Sequence, residues 1–363
     1  MKFTPLALIA ELTHRCPLHC VYCSNPIQLQ KMKDEIDTAT WMRVIDEAAQ
    51  MGIVQLHLTG GEPTLRDDLV ALIAHGRKHK LYSNLITSGV GLTEARLREM
   101  AEAGLDHIQL SLQDSQENYA NEYAGTKAHA IKLKTAQTIK KFSLAFTINI
   151  VIHRQNISRL NEMISLGETL GADRMEIAHV QYYGWAFKNR NRLIPTSEQV
   201  KSSMDQIYAA KERLKDKLRI DFAIPDYFAK YPKPCMGGWG QKSVLIDPNG
   251  RVLPCHSAMV IPDMQFENIK EKSLSEIWNL SEAFERFRGE AWMQEPCSSC
   301  DRRSKDFGGC RCQAFLITGD AAATDPVCSL SPSKHKITSE IQSAHNQTQE
   351  KSWAYRKIDS PNS

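Results

Sequence analysis

A short cysteine motif near the start of the chain constrains its chemistry more than any other feature. Residues 16–23 read CPLHCVYC, so three thiols are spaced C-x3-C-x2-C. A cubane iron–sulfur cluster has four irons, and three thiolates leave one iron without a protein ligand and open to a substrate. The alternative is a zinc site with His14 or His19 as fourth ligand, although structural zinc sites usually pair cysteines as C-x2-C. The spacing therefore favours an iron–sulfur cluster with an open iron.

The overall composition is that of an ordinary globular protein. The 363 residues are enough for one large domain and a smaller one. A formal net charge of +3 gives no reason to expect nucleic-acid or membrane-surface binding. We expect no membrane span and no secretory signal before the first cysteine. The ten cysteines then indicate metal or cluster ligation in a reducing, cytoplasmic compartment rather than disulfides.

Six short apolar runs alternate with amphipathic segments in the first half of the chain. The runs are 6–12, 53–58, 82–87, 107–112, 144–151 and 174–180. Between them apolar residues recur at helical spacing, as Trp41, Val44, Ile45 and Ala48 do. Strands that are separated by helices predict an α/β fold with a parallel sheet and right-handed crossovers. Periodicity alone does not distinguish a (β/α) barrel from a doubly wound sheet.

Polar residues follow the apolar runs, at the ends that would form one rim of a barrel. The second run ends in Thr59-Gly60-Gly61-Glu62-Pro63. Its two glycines would let a ligand approach the backbone, and Glu62 could accept a hydrogen bond from an ammonium group. Further polar residues at this rim are Thr87, Ser88, Ser111, Gln113, Asn149, His153 and Glu176. Each of these could equally be a strand-end cap, and GGEP alone is typical of an ordinary turn.

A second group of cysteines occupies the last third of the chain. Its members are Cys235, Cys255, Cys297, Cys300, Cys310, Cys312 and Cys328. Such density in a reducing compartment predicts metal or cluster ligation. Zinc is the alternative here too, since the C-x2-C pair at positions 297 and 300 would make a good half-site.

Together these motifs resemble those of the radical S-adenosylmethionine (SAM) enzymes that carry a C-terminal SPASM domain. The string AELTHRCPLHCVYCSNP, with Tyr22 before its third cysteine, and the later GGEP match the radical SAM pattern. The SPASM pattern consists of C, then G-x4-C, then C-x2-C-x5-C-x3-C, and finally C. In this chain Asp306 stands at the third cysteine position of the C-x2-C-x5-C-x3-C block. The string EPCSSCDRRSKDFGGCRCQAF, which contains this departure, resembles one branch of the peptide-modifying SPASM enzymes.

The resemblance implies a fold and an order of domains. It favours a partial, TIM-like (β/α)6 barrel over residues 1–184, a bridging helical segment over 185–234 and a SPASM domain over 235–332 with two auxiliary clusters. Tyr182, Tyr183 and Trp185 could line a substrate entrance or pack between the two domains. Residues 333–363 are mostly polar, and we expect them to form a flexible tail.

The resemblance also implies roles for individual residues. Cys16, Cys20 and Cys23 would hold a [4Fe–4S] cluster whose open iron binds SAM. The residues expected to contact SAM are Tyr22, Gly60, Gly61, Glu62, Ser111, Gln113 and Asn149. The first auxiliary cluster would be held by Cys235, Cys255, Cys310 and Cys312, and the second by Cys297, Cys300, Asp306 and Cys328. Cysteine ligands serve [2Fe–2S] and [4Fe–4S] clusters alike, so the ligands leave the cluster type open.

Finally, the resemblance implies a substrate and partners. The substrate would be a precursor peptide in which a glutamate side-chain carbon becomes joined to a tyrosine ring. A small carrier protein would present the peptide, and a flavodoxin or ferredoxin would supply electrons. The alternatives are a sulfatase-maturing or thioether-forming SPASM enzyme, and a zinc-stabilised interaction protein without catalysis. A brown, iron-containing preparation would indicate one of the SPASM enzymes, whereas a colourless protein with bound zinc would indicate the interaction protein.

Overall fold

The computed structural model describes residues 3–223, 225–346 and 352–356. Within these residues the central element is a single sheet of nine strands. The strands are β1 (Ala7–Glu11), β2 (Gln55–Thr59), β3 (Tyr82–Thr87), β4 (His107–Leu112), β5 (Ala145–Ile152), β6 (Arg174–His179), β7 (Arg219–Phe222), β8 (Ser243–Ile246) and β9 (Val252–Leu253). The six predicted runs correspond to β1 to β6, with ends that differ by two residues at most.

The order of the strands decides between the two architectures that periodicity left open. It is β7-β6-β5-β4-β3-β2-β1-β8-β9, and every neighbouring pair except β8–β9 is parallel. A doubly wound sheet reverses its strand order at a central point. Here β1 to β6 follow one another in one direction without a reversal, as in a barrel wall. Because β7 and β9 are edge strands, the barrel is partial, and the predicted fold class is confirmed.

Helices connect the strands and cover their outer face. They are α1 (Thr38–Gln50), α2 (Leu69–Lys78), α3 (Glu94–Glu102), α4 (Glu117–Ala124), α5 (His129–Ile139), α6 (Leu160–Thr169), α7 (Gly184–Lys188), α8 (Arg190–Leu193), α9 (Ser197–Leu214), α10 (Leu274–Leu280), α11 (Glu282–Glu285), α12 (Arg303–Asp306), α13 (Arg311–Thr318) and α14 (Lys334–Asn346). In α1, Asp37 caps the first turn by accepting from the Thr40 amide at 2.8 Å, and Trp41 and Val44 face the core. In the described part of the chain, no helix combines the length and the apolar character that crossing a bilayer requires.

Alternation along the strands separates the hydrophobic core from the barrel interior. In β4, Ile108, Leu110 and Leu112 are buried in the core, each worth about 1.5–3 kcal/mol of apolar burial. The residues between them, His107 and Gln109, line a cavity of about 680 Å³ inside the barrel. The interior is therefore open to a ligand rather than filled by side chains.

Two parts of the chain extend the sheet beyond the predicted units. The segment 185–234 was expected to be helical, yet besides α7, α8 and α9 it forms β7, in which Ile220 pairs with Met175 of β6. A four-residue edge strand is too short to show a period, so the prediction missed it. From the cysteine-rich region, β8 pairs in parallel with β1. The two domains therefore share one sheet.

The segment 333–363, expected to be a disordered or loosely helical tail, contains a packed helix in the part that the structure describes. In α14, Ile337 and Ala344 are buried against Tyr227 and Val327. The few apolar residues of this segment lie on one face of a helix, which is enough to anchor it on an existing apolar surface. Residues 352–356 pack against the barrel, whereas 347–351 and 357–363 lie outside the described residues.

Candidate active site

The loop after β1 brings its three cysteines together. A turn closes with the Cys23 amide donating to the Cys20 carbonyl at 3.2 Å, and the His19 amide donates to the Ala124 carbonyl at 2.8 Å. Burial raises the pKa of Cys16 to about 11 and that of Cys20 to about 12, and charge on the neighbouring thiols contributes to both increases. Such thiols would stay neutral in isolation, but a coordinating metal deprotonates them outright. Three neighbouring, partly buried thiols on one loop thus fit the expected cluster.

The two glycines of GGEP join this loop to the end of β2. A Cβ on Gly60 would lie 2.3 Å from the Thr13 carbonyl oxygen, and one on Gly61 would lie 2.3 Å from the Arg15 carbonyl oxygen. In addition, the Gly61 amide donates to Thr13 at 2.6 Å. The space above these glycines is thus taken by the chain's own backbone rather than left for a ligand. Their observed role is to hold GGEP against the cysteine loop, and contact with SAM stays a prediction.

Glu62 is fully buried and accepts five hydrogen bonds. Its Oε1 accepts from the Thr64 amide at 3.1 Å, the Thr64 hydroxyl at 2.8 Å and the Thr87 hydroxyl at 2.7 Å. Its Oε2 accepts from the Ser88 amide at 2.7 Å and the Ser88 hydroxyl at 2.5 Å. Glu62 therefore ties the end of β2 to the end of β3 beside Cys16, on whose thiol its charge acts. Its proposed contact with the SAM ammonium group is an additional role that stays a prediction.

The remaining predicted SAM contacts fall into two groups. Tyr22 is hydrogen-bonded to the Gln113 side chain, close to Cys20, and its ring centroid lies 5.6 Å from that of His153. Ser111 and Asn149 are register partners on β4 and β5, and Asn149 pairs in turn with Glu176 on β6. The structure thus places Tyr22 and Gln113 together, and aligns the second group in one row across three strands.

Lys132 is a buried charge at this site that the sequence analysis did not single out. Its ammonium group donates to the Ser111 carbonyl at 2.7 Å and to the Ser111 hydroxyl at 3.1 Å. Burial lowers its pKa to about 8, against the opposing charges of Cys20 and Glu62. The sequence feature that could have identified Lys132 is its position on the buried face of α5, between His129 and Thr135, which are also buried.

The first predicted auxiliary set comes together between the two domains. Cys235 is hydrogen-bonded to Cys255 and to Cys310, and the sulfurs of Cys255 and Cys312 are 3.8 Å apart. The Tyr183 hydroxyl lies 2.9 Å from the Cys310 sulfur. Four thiols from three separate chain segments thus meet at one point, as cluster ligation requires.

Tyr182 and Trp185 are the other aromatic residues of the segment that could have lined a substrate entrance. Trp185 is buried, and the Tyr182 ring packs against Tyr227 at 4.7 Å between centroids. Tyr182 thus packs against the bridging segment, and Trp185 is enclosed within the fold. In contrast, Tyr183 lines a cavity that also reaches the first auxiliary set.

The second predicted auxiliary set also comes together. Cys297, Cys300, Asp306 and Cys328 line one small pocket. Asp306 is buried there and accepts from the Arg302 Nε at 3.2 Å and from the Gly308 amide at 3.2 Å. A buried carboxylate among three thiols is compatible with the expected ligand set.

Glycines let the chain pass between the two sets. Gly308 and Gly309 both have positive φ, and a Cβ on Gly309 would lie 2.4 Å from the Asp325 Oδ2. The same Oδ2 accepts from the Cys310 amide at 2.7 Å. Asp325 therefore fixes the backbone where the chain passes from Asp306 to Cys310.

Two cavities connect the cysteine loop with the first auxiliary set. The barrel cavity of about 680 Å³ reaches Ser24 and Asn25, directly after Cys23. A second cavity of about 300 Å³ is lined by all the cysteines of the first auxiliary set except Cys312. Met236 and His256 line both cavities. The barrel cavity therefore reaches the two residues that follow Cys23 and, at Met236 and His256, the residues next to Cys235 and Cys255.

Comparison with known proteins identifies the class of enzyme. The family model of the radical SAM superfamily matches residues 10–167, and that of SPASM, an iron–sulfur cluster-binding domain, matches residues 235–301. The chain is thus a radical SAM enzyme with a SPASM cluster-binding domain.

Curated relatives narrow the family further. A PqqA peptide cyclase of Gluconobacter oxydans (strain 621H) is 51% identical over 97% of this chain and 98% of its own length. A PqqA peptide cyclase of Methylocella silvestris is 48% identical over 98% of this chain and 96% of its own length. The chain belongs to the family of PqqA peptide cyclases.

Solved structures share the fold at low sequence identity. Streptococcus suis SuiB bound to S-adenosylmethionine superposes with a TM-score of 0.75 at 19% identity, over 90% of this chain and 77% of that one. Native anSMEcpe with bound AdoMet gives a TM-score of 0.65 at 17% identity, over 94% of this chain and 97% of that one. Both likenesses support the barrel architecture.

Proposed function

We propose that this chain joins a glutamate side-chain carbon to a tyrosine ring within the precursor peptide PqqA, as a step of pyrroloquinoline quinone biosynthesis. The chain's membership of the PqqA peptide cyclase family supports PqqA as the substrate. The observation that carries the proposal is the pair of cavities that share Met236 and His256. A peptide lying in them would contact the cysteine loop and the first auxiliary set at once, and the cross-link needs chemistry from both.

The proposed reaction removes two hydrogens from the peptide and forms one carbon–carbon bond. One hydrogen leaves the glutamate side chain as an atom, and the other leaves the tyrosine ring as a proton and an electron. When bound, SAM and the cluster at Cys16, Cys20 and Cys23 supply a 5′-deoxyadenosyl radical that takes the hydrogen atom, and the auxiliary clusters supply electron acceptors.

The chain's own contribution is to bind and orient the peptide. Glu11, Glu176 and His256 place polar groups along the cavity wall. Buried side chains behind the wall hold the strands at fixed spacing, which keeps the reacting carbons of a bound peptide close together. The first auxiliary cluster would be held by the four cysteines of the first auxiliary set, with Tyr183 beside Cys310. The second would be held by Cys297, Cys300, Asp306 and Cys328.

The proposal includes partners and a compartment. We propose that the peptide carrier protein PqqD presents PqqA, and that a flavodoxin or ferredoxin supplies the electron that starts each turnover. None of the ten cysteines, all of which lie among the described residues, forms a disulfide, which supports a reducing, cytoplasmic setting. The sulfatase-maturing and thioether-forming alternatives are disfavoured, because relatives of about half identity over nearly the whole chain are PqqA peptide cyclases.

Mass spectrometry tests the proposal. The chain, prepared anaerobically, is incubated with PqqA, SAM and reductant, with and without PqqD. We expect a peptide lighter by two hydrogens, with fragment ions that localise the loss to one glutamate and one tyrosine. The matched control is Cys20→Ala, which should leave PqqA unchanged. Unmodified PqqA with the intact chain, or a thioether or aldehyde product, would contradict the proposal.

A further inference from the structure

Residues 352–356, termed the C-terminal strap, lie across the cysteine loop. The Asn189 side chain clamps the strap: its Nδ2 donates to the Ala354 carbonyl at 2.8 Å, and its Oδ1 accepts from the Ala354 amide at 2.9 Å. The Trp353 indole donates to Glu122 Oε1 at 2.6 Å, and the Arg192 guanidinium lies 3.6 Å from the Trp353 ring centroid. The strap is therefore held in one position by side chains of α4, α8 and the residue before α8.

The clamp places Arg356 inside the cysteine loop. Only 2% of Arg356 is exposed. Its carbonyl is 2.7 Å from His19 Nδ1, and its Nη2 donates to the His14 carbonyl. Its Nε and Nη1 are buried and have no oxygen or nitrogen acceptor among the described residues. Two of its three guanidinium nitrogens are thus buried beside the loop without a hydrogen-bond partner among the described residues.

The charge of Arg356 acts on all three loop thiols. Burial raises the pKa of Cys16, Cys20 and Cys23, and the Arg356 charge opposes this rise at each of them. The guanidinium therefore lies next to the sulfurs that would become thiolates on ligation.

A buried guanidinium needs a counter-ion. Arginine stays protonated in proteins, and an uncompensated buried charge is strongly unfavourable. Glu62 also acts on Cys16, but its oxygens are occupied by their five hydrogen bonds. The Glu11 carboxylate also acts on Cys23, but neither it nor Glu62 forms an ion pair with Arg356 among the described residues, so the ligated thiolates would supply the counter-charge. Positive charge and hydrogen bonds at the sulfurs favour the reduced, more negative state of an iron–sulfur cluster.

We propose that Arg356 is a positioning residue of the radical SAM site: the C-terminal strap carries its guanidinium to the loop thiolates, where it offsets their charge and raises the reduction potential of the cluster. The inference rests on the cluster of the proposed function.

The test is a redox titration of the anaerobic holoenzyme followed by EPR. The signal of the loop cluster is identified by its change when SAM is added. We expect Arg356→Gln to shift the midpoint potential of this cluster to a more negative value. Arg356→Lys, which keeps the positive charge, should have a potential close to that of the original chain. Deletion of residues 352–363 should reproduce the shift. Tyr355→Phe is the matched control within the strap and should leave the potential unchanged.

The auxiliary clusters in the same samples report whether each variant has folded. Unchanged auxiliary signals together with an unshifted loop cluster in Arg356→Gln would overturn the inference. Selective loss of the loop cluster from Arg356→Gln, but not from Arg356→Lys, would support it. Absence of the loop cluster from the unaltered chain would instead refute the cluster assignment in the proposed function. If Arg356→Gln does not fold, the deletion decides, since an unshifted potential there overturns the inference as well.

Discussion

Replacing Glu62 with Gln should destabilise the fold by an amount that can be worked out from its five hydrogen bonds. The backbone amides of Thr64 and Ser88 donate to different carboxylate oxygens, and a backbone N–H cannot become an acceptor. The glutamine NH2 group must therefore face one of the two amides, whichever way it is oriented. The three hydroxyl donors can rotate and become acceptors. One buried N–H left without a partner costs about 1–3 kcal/mol, and loss of the charge weakens the remaining bonds. We expect a total loss of about 2–4 kcal/mol in the free energy of unfolding.

Anaerobic urea denaturation of the holoenzyme, followed by circular dichroism, measures this loss, and equilibrium dialysis with labelled SAM measures affinity. If Glu62 also binds the SAM ammonium group, Glu62→Ala should weaken SAM binding by about 1.5–3 kcal/mol with unchanged iron content. Unchanged SAM affinity in a folded, iron-replete Glu62→Ala chain would restrict Glu62 to its role in the loops. An unfolding free energy of Glu62→Gln equal to that of the original chain would refute the hydrogen-bond argument.

Three further predictions follow from the site. Alanine in place of any one cysteine of the loop after β1 should abolish production of 5′-deoxyadenosine, because three ligands hold a cubane with one open iron; the auxiliary EPR signals should persist. Asp306→Ala should keep SAM cleavage but lose most cross-linked peptide, whereas Asp306→Cys should keep the cluster with an altered potential, because thiolate donates more electron density than carboxylate. Burial, Arg159 and His179 lower the pKa of His153 to about 3, so the unfolded chain takes up a proton below about pH 6.5 that the folded chain does not. Stability should therefore decrease as the pH is lowered from about 6.5 towards about 3, by about 1.4 kcal/mol per pH unit for this residue. His153→Gln should remove that part of the slope.

Each of these predictions has a clear contrary outcome. Production of 5′-deoxyadenosine at the normal rate by a loop-cysteine variant would reassign the active cluster. Unchanged product yield and unchanged auxiliary EPR signals in Asp306→Ala would show that Asp306 is not a ligand. Urea denaturation at a series of pH values tests the third prediction, and equal slopes for His153→Gln and the original chain would contradict it.

Local pattern was sufficient to predict the barrel strands. The run 107–112 coincides with β4 because its residues alternate strictly between the core and the barrel interior. The strand β7 was missed because its four residues pair at an edge and alternate poorly. The strand β8 is buried on both faces, and its pairing with β1 joins residues more than two hundred positions apart. Such long-range pairing leaves no local period.

The candidate site shows the same division. The three loop cysteines and Glu62 were singled out from local motif spacing together with a family resemblance, and the structure places Glu62 close to Cys16 and Cys20 close to both other loop cysteines. Their roles stay predictions. Arg356 was missed because its partner His14 lies 342 residues earlier in the chain. Lys132 was missed because a single lysine in an amphipathic helix normally faces solvent. Both residues owe their place to tertiary packing.

The position of the C-terminal strap has a consequence for how the protein is made. Ribosomes add about 5–20 residues per second, so the cysteine loop exists for tens of seconds before Arg356 is synthesised. During that interval β8, the partner of β1, is also still to come. The strap can therefore cover the loop only when the chain is nearly complete, and a cluster inserted earlier would not have to pass it.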